Sequence, residues 1–132
     1  MGYLGFKIFW GGNLTILEKY VDDYILLCSK LCKDSNDYNR SKVQQNNRAY
    51  KKLTRLKLEI SKDIATALNV YSILLNDQNV FIQQSAATDC LKLNIHIEES
   101  VHVLRNISHS TDRMRAISAK RTLLVWEKNR PI

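Results

Sequence analysis

The residues best suited to metal or nucleophilic chemistry are three cysteines and three histidines, and their spacing supports neither use. Cys28 and Cys32 stand one helical turn apart and could begin a chelate, but a zinc site takes about four ligands. Cys90 falls in a separate apolar stretch, and no histidine is close in sequence to Cys28 or Cys32. Buried free thiols are the better reading. His96, His102 and His109 surround one short helical stretch without a His-Glu-x-x-His spacing. Glu98 and Glu99 are adjacent, which places them on different parts of a helix rather than pairing them for acid–base work. The one glycine pair, Gly11-Gly12, is not followed by the Lys-Ser or Lys-Thr of a phosphate loop. No Ser-His-Asp or Cys-His arrangement can be assigned. The expectation is a protein that is not an enzyme, with no catalytic residue, metal or cofactor.

Charge is the more specific signal. Arg48, Lys51, Lys52 and Arg55 follow one another at helical spacing and make one cationic face, with Arg40 and Lys42 near its start. Between Lys33 and Lys62 there are nine basic residues against three acidic ones, in a chain of net charge +7. Such a field attracts nucleic acid, an anionic membrane or an acidic protein. Phosphate binding would make affinity fall steeply with salt. Readers of single strands also interleave aromatics for stacking. Tyr38 is nearby, but Tyr50 fits an apolar stripe, so that interleaving is poor. Tyr20, Tyr24, Tyr71 and Trp126 read as core rather than as a ligand cage.

The elements that must position these residues read as helices. Residues 13–130 contain neither proline nor glycine, which favours long helices joined by polar turns. Asn13 is placed as the N-cap of a first helix with Leu14, Leu17, Val21, Tyr24, Cys28 and Leu31 on one stripe, and Glu18, Asp22 and Asp23 away from much of it. A turn follows at Asp34-Ser35-Asn36-Asp37. A second helix, from 38–41 to about 60, carries Val43, Tyr50, Leu53, Leu56 and Ile60 inward, with Asn46 or Asn47 as a polar residue on that stripe. Ser61 is set to cap a third, with Asp63 in its first turn and Ile64, Ala67, Leu68, Tyr71, Leu74 and Leu75 inward. Further helices are expected at 80–93, at 98–107 with Val101, Leu104 and Ile107 inward, and at 113–126, capped by Ser110, Thr111 or Asp112. No run reaches the roughly 18 apolar residues of a membrane span. The odd cysteine count, with no cleavable leader or myristoylation signal at the start, points to the cytosol. Residues 1–13 form an atypical amino-terminal segment, and residues 14–130 a single helical-repeat domain.

The second half repeats. Laid over one another about 32 residues apart, Ile82 matches Met114, Gln83 matches Arg115, Ala87 matches Ala119 and Leu91 matches Leu123. The preceding helices match with one residue of slippage: Leu68, Tyr71 and Leu74 against Val101, Leu104 and Ile107. A two-helix period of this size is the pattern of an α-solenoid, so the expected fold is all-α, a short right-handed solenoid of about three antiparallel helix pairs. Such stacks usually serve as binding surfaces.

The segment Asp77-Gln78-Asn79-Val80-Phe81-Ile82-Gln83, followed by Ala86-Ala87, resembles the core of a HEAT-type repeat. There an aspartate caps the turn, an aliphatic residue five positions later starts the second helix, and an arginine follows it. Gln83 stands where that arginine belongs, whereas the second copy has Arg115 there and Ser110, Thr111 and Asp112 at its turn. Across the whole chain, Asn46, Asn47, Lys51, Lys52 and Leu53, the run Cys90-Leu91-Lys92-Leu93-Asn94-Ile95, and the ending with Ala119, Leu123, Leu124 and Trp126 resemble a group of small bacterial HEAT-like proteins. Members of that group often resemble immunity proteins of polymorphic or contact-dependent growth-inhibition toxins. The resemblance implies a cytoplasmic inhibitor that binds one toxin domain, such as a nuclease, by covering its active site or substrate surface. The alternative is a nucleic-acid-binding HEAT-like module using the basic helix.

On this reading the outward residues of the second helix of each pair bind the partner: Arg48, Lys52 and Arg55, then Gln84 and Asp89, then Arg115. Against a basic nuclease, Glu18, Asp22 and Asp23 of the first helix take that role.

Overall fold

A computed structural model describes residues 12–33 and 40–129, without the side chains of 12–15, 32–33 and 40–45. The expected amino-terminal segment through residue 11, the 34–37 turn, Tyr38, and the side chains of Asn13, Cys32, Arg40, Lys42 and Val43 therefore lie outside the described residues.

Six helices and no strand are found among the described residues: α1 (Gly12–Lys33), α2 (Arg40–Ser61), α3 (Ile64–Leu74), α4 (Val80–Leu93), α5 (Ile97–Ser108) and α6 (Arg113–Asn129). The fold is all-α, as a stretch free of proline and glycine favours. α1 begins at Gly12, one residue before the expected cap. Contacts group the chain into two compact units, Met1–Val70 and Tyr71–Ile132, with the division inside α3.

In the first unit α1 and α2 pack together. α1 buries Val21, Tyr24 and Cys28 at three- and four-residue steps, as the stripe predicts. The expectation for α2 needs one correction: Tyr50 is 65% exposed and Ala49 is buried in its place. Both lie within a turn of Leu53, so spacing alone admits either, and the smaller side chain lets the helices approach. The buried stripe is thus Ala49, Leu53 and Ile60, with Asn46 and Leu56 half-buried on it and Asn47 exposed. The Lys57 ammonium lies 5.8 Å from the Tyr24 ring centroid, so an α2 lysine stem covers the α1 tyrosine.

Ser61 does not cap α3. It is the last residue of α2, and its hydroxyl donates to the Leu58 carbonyl at 3.0 Å. Asp63 holds the cap position: its carbonyl accepts from the Ala67 amide at 3.0 Å, and its carboxylate accepts from the Thr66 hydroxyl at 2.8 Å. The inward face of α3 keeps four of its six expected residues, Ala67, Tyr71, Leu74 and Leu75, and differs at Ile64 and Leu68, with Val70 buried in addition. Ile64 is 60% and Leu68 38% exposed.

In the second unit α5 packs against both α4 and α6, while α4 and α6 touch at fewer points. Asn79 caps α4, its side-chain oxygen accepting from the Phe81 and Ile82 amides, and Asp77 accepts from the Asn79 amide at 2.8 Å. Asn94 ends α4 in the left-handed conformation (φ 63°), returning its amide to the Cys90 and Leu91 carbonyls. His96 is also left-handed (φ 45°), and between them Ile95 is buried. Val101, Leu104 and Ile107 face inward as predicted. Asp112 caps α6, its carboxylate accepting from the Arg115 amide at 3.3 Å.

The sequence overlay holds at Ala87 and Ala119, both fully buried, and fails five residues earlier: Ile82 is 2% and Met114 78% exposed. α4 buries a broad face, while α6 buries the narrow one that α5 covers, so the same register position meets a neighbour in one helix and solvent in the other.

Cys28 and Cys90 are both fully buried. Burial pushes the Cys90 thiol from its ordinary 9.0 up to about 12; the Ser100 hydroxyl beside it opposes the shift, and the nearby Asp89 and Glu99 carboxylates add to it. A Cys32→Ser variant is therefore expected to show no fast reaction with Ellman's reagent while native at about pH 8, and two reactive thiols in guanidinium, read at the thionitrobenzoate absorbance. A raised folded value favours the protonated thiol. The contribution of Cys90 to stability is thus whole below 9.0 and lost as pH climbs towards about 12.

Candidate functional site

The α1–α2 pair leaves an open groove of about 570 Å³ on the first unit. Tyr20, Leu26, Leu27 and Leu56 supply its apolar lining; Lys19 and Asp23 from α1 and Lys52, Arg55 and Glu59 from α2 supply the charge. The helical repeat explains the assembly. Tyr20, Asp23 and Leu27 recur at three- and four-residue steps beside the buried stripe of α1, and Lys52, Arg55, Leu56 and Glu59 do the same on α2.

Lys52 and Arg55, expected on one hypothesis, and Asp23, expected on the other, therefore line the same groove. Both cations are exposed and Asp23 is half-buried. Arg48 and Lys51 are exposed on the same helix without lining it, and Asp22 is exposed on α1. Glu18 is a correction: it is 7% exposed, on the buried side of α1 one turn before Val21, and cannot serve as a surface contact.

The expected contacts in the second unit are mostly spent within it. Asp89 does not face outward. It is 6% exposed and accepts a hydrogen bond from the buried Tyr71 hydroxyl at 3.0 Å. Gln84 is half-buried and donates its amide to the Ser118 hydroxyl at 3.0 Å, tying α4 to α6. Arg115 is half-buried, paired with Asp112 at 3.2 Å, with its guanidinium 5.4 Å from the Phe81 ring centroid. Gln83 donates to the Leu75 carbonyl at 3.3 Å. The polar residues at the repeat positions thus join neighbouring segments of one unit.

Sequence reasoning missed Lys19, Leu26 and Glu59. A signal existed in the run Ile25-Leu26-Leu27-Cys28, since four successive apolar residues cannot share one helical stripe, and Leu26 is 67% exposed. Tyr20 and Trp126, expected in the core, are half-buried at the edges of hollows; Tyr24 and Tyr71 are buried as expected.

His96 is half-buried with Nδ1 3.7 Å from a Glu99 carboxylate oxygen, and His102 and His109 are exposed. Among the described residues no three His, Cys, Asp or Glu side chains gather as a metal site would require, and no helix is long and apolar enough to cross a membrane. No family model, no curated protein and no solved structure matches this chain.

Proposed function

We propose that this chain is a protein-binding inhibitor, an immunity protein that neutralises a cognate bacterial toxin domain in the cytoplasm, and that its helices stack in the HEAT-like manner. The observation that carries this reading is the α1–α2 groove, where an apolar lining is rimmed by exposed charges of both signs. That composition matches the apolar centre and polar rim of protein interfaces. An inhibitor of this kind needs complementarity and slow release rather than reacting groups. The α4–α5–α6 contacts and the Gln84–Ser118 tie support stacking of successive helices. The immunity role itself rests on the sequence resemblance.

A second reading has its own support. Arg48 and Lys51 add exposed positive charge to α2 outside the groove, as a phosphate-binding surface would.

One experiment separates them. Tagged wild-type chain and a Lys52→Glu/Arg55→Glu variant are used to recover partners from the native host, with nuclease treatment and a high-salt wash. The immunity reading expects one stoichiometric toxin-domain protein held by the wild type. Its affinity should drop by about 30-fold or more in the variant, a loss of about 2 kcal/mol, with the thermal midpoint unchanged. Recovery of nucleic acid alone, released at high salt, would overturn it in favour of the basic helix as a phosphate surface.

A further inference from the structure

A different surface, on the second unit, has features of a recognition site and shares no residue with the groove. α4 and α6 touch near their amino-terminal ends, where Arg115 stacks over Phe81 and Gln84 reaches Ser118. Between their carboxy-terminal halves lies a hollow of about 620 Å³, lined among others by Thr88, Leu91, Lys92, Arg121, Val125 and Trp126. Along the outer side of α6, continuous with this hollow, runs a row of large exposed apolar side chains: Met114 (78%), Ile117 (52%), Leu124 (65%) and Val125 (53%). Their spacing places them on one face with Arg121 and Lys128.

Charge selects among occupants. Besides Arg115, which Asp112 already pairs, α6 carries Arg113, Lys120, Arg121 and Lys128 against one acidic residue, Glu127, and Lys92 of α4 adds a cation at the hollow. A second copy of the same face would bring Arg121 and Lys128 against their own kind, which is unfavourable. A phosphate backbone would satisfy the cations and leave four bulky apolar groups without partners. A flat bilayer would cover the row and leave the hollow unfilled. An amphipathic helix with acidic flanks meets all three demands: its apolar stripe covers the row, a large side chain fills the hollow, and its carboxylates meet the cations.

We propose that this face of α6, with the hollow beside Trp126, is a docking site for an acidic amphipathic helix of another protein. The role is separate from toxin neutralisation through the α1–α2 groove and stands or falls independently of it.

Trp126 reports on the site directly. In a Trp10→Phe variant of the full chain it is the sole tryptophan. The probes are a panel of synthetic helical peptides of about 20 residues, or about 30 Å, apolar at three- and four-residue steps and Glu elsewhere. A matched panel carries Lys for Glu, and phosphatidylglycerol vesicles are run alongside. Saturable blue-shifted Trp126 emission is expected with acidic peptides and not with basic ones. Arg121→Glu/Lys128→Glu, both at exposed positions, should weaken acidic-peptide binding by about 30-fold or more and gain affinity for the basic panel, with unfolding unchanged. Lys92→Glu, on the other helix, should weaken it by a smaller factor. Equal response to both panels, no response to the acidic one, or unaltered binding by the charge-reversed variant would each overturn the proposal. Binding to vesicles alone would assign the face to a membrane surface, and dimerisation that buries Trp126 would assign it to a second copy; either result also overturns it.

Discussion

Asp89→Ala is expected to destabilise the second unit by about 2 kcal/mol, the usual scale for removing one partner of a buried hydrogen bond. The carboxylate is 6% exposed, the Tyr71 ring 1%, and the hydroxyl-to-carboxylate distance is 3.0 Å. Removing the carboxylate takes the acceptor from a hydroxyl that water does not reach. Urea unfolding of the full chain, followed through Trp126 fluorescence in the Trp10→Phe background, measures the loss. Tyr71→Phe removes the donor instead, and the double variant closes a cycle whose coupling energy isolates the bond. If the two changes add, with no coupling beyond about 0.5 kcal/mol, the pair is a bystander. The same experiment checks the reassignment of Asp89 from contact residue to structural one, since a surface contact would leave the unfolding midpoint in place.

Leu104→Ala should cost more, about 2–5 kcal/mol, because it removes buried methyl groups and leaves a cavity. Leu104 is fully buried at the centre of α5, the helix that packs against both α4 and α6. A gap there withdraws contacts from two interfaces at once. The internal control is Leu124→Ala on α6: a side chain 65% exposed should change stability by no more than about 0.5 kcal/mol. Calorimetric midpoints for the two variants test the contrast, and equal shifts would mean that the core is not where these burials put it.

The helices were legible because their ends carry local chemistry. Asn79 and Asp112 cap in the ordinary way, polar clusters fill the turns, and α4 falls at the expected 80–93. Which face of each helix turns inward was less legible wherever two apolar neighbours compete. Tyr50 and Ala49 both keep step with Leu53, and hydrophobicity favours the tyrosine; close approach of α1 and α2 favours the alanine. On α3, Ile64 and Leu68 lose to Val70, which sits beside the expected Ala67 and Tyr71. Glu18 and Asp89 were misplaced for the converse reason. A carboxylate reads as surface in sequence, and only the fold reveals the tyrosine hydroxyl, 18 residues away, that lets Asp89 lie inside. The groove was half legible: its cations stand out by spacing, but its apolar lining comes from residues that look redundant until two helices are side by side.

The connection from α4 to α5 has a practical consequence for anyone modifying this chain. Asn94 and His96 both hold positive φ without being glycine, with the buried Ile95 between them donating its amide to Cys90. Three consecutive residues are thereby locked by conformation, burial and hydrogen bonding, with no slack to absorb added length. A fluorophore, protease site or permuted terminus placed there would have to break all three restraints. The exposed 109–111 stretch before α6 is the better point of entry.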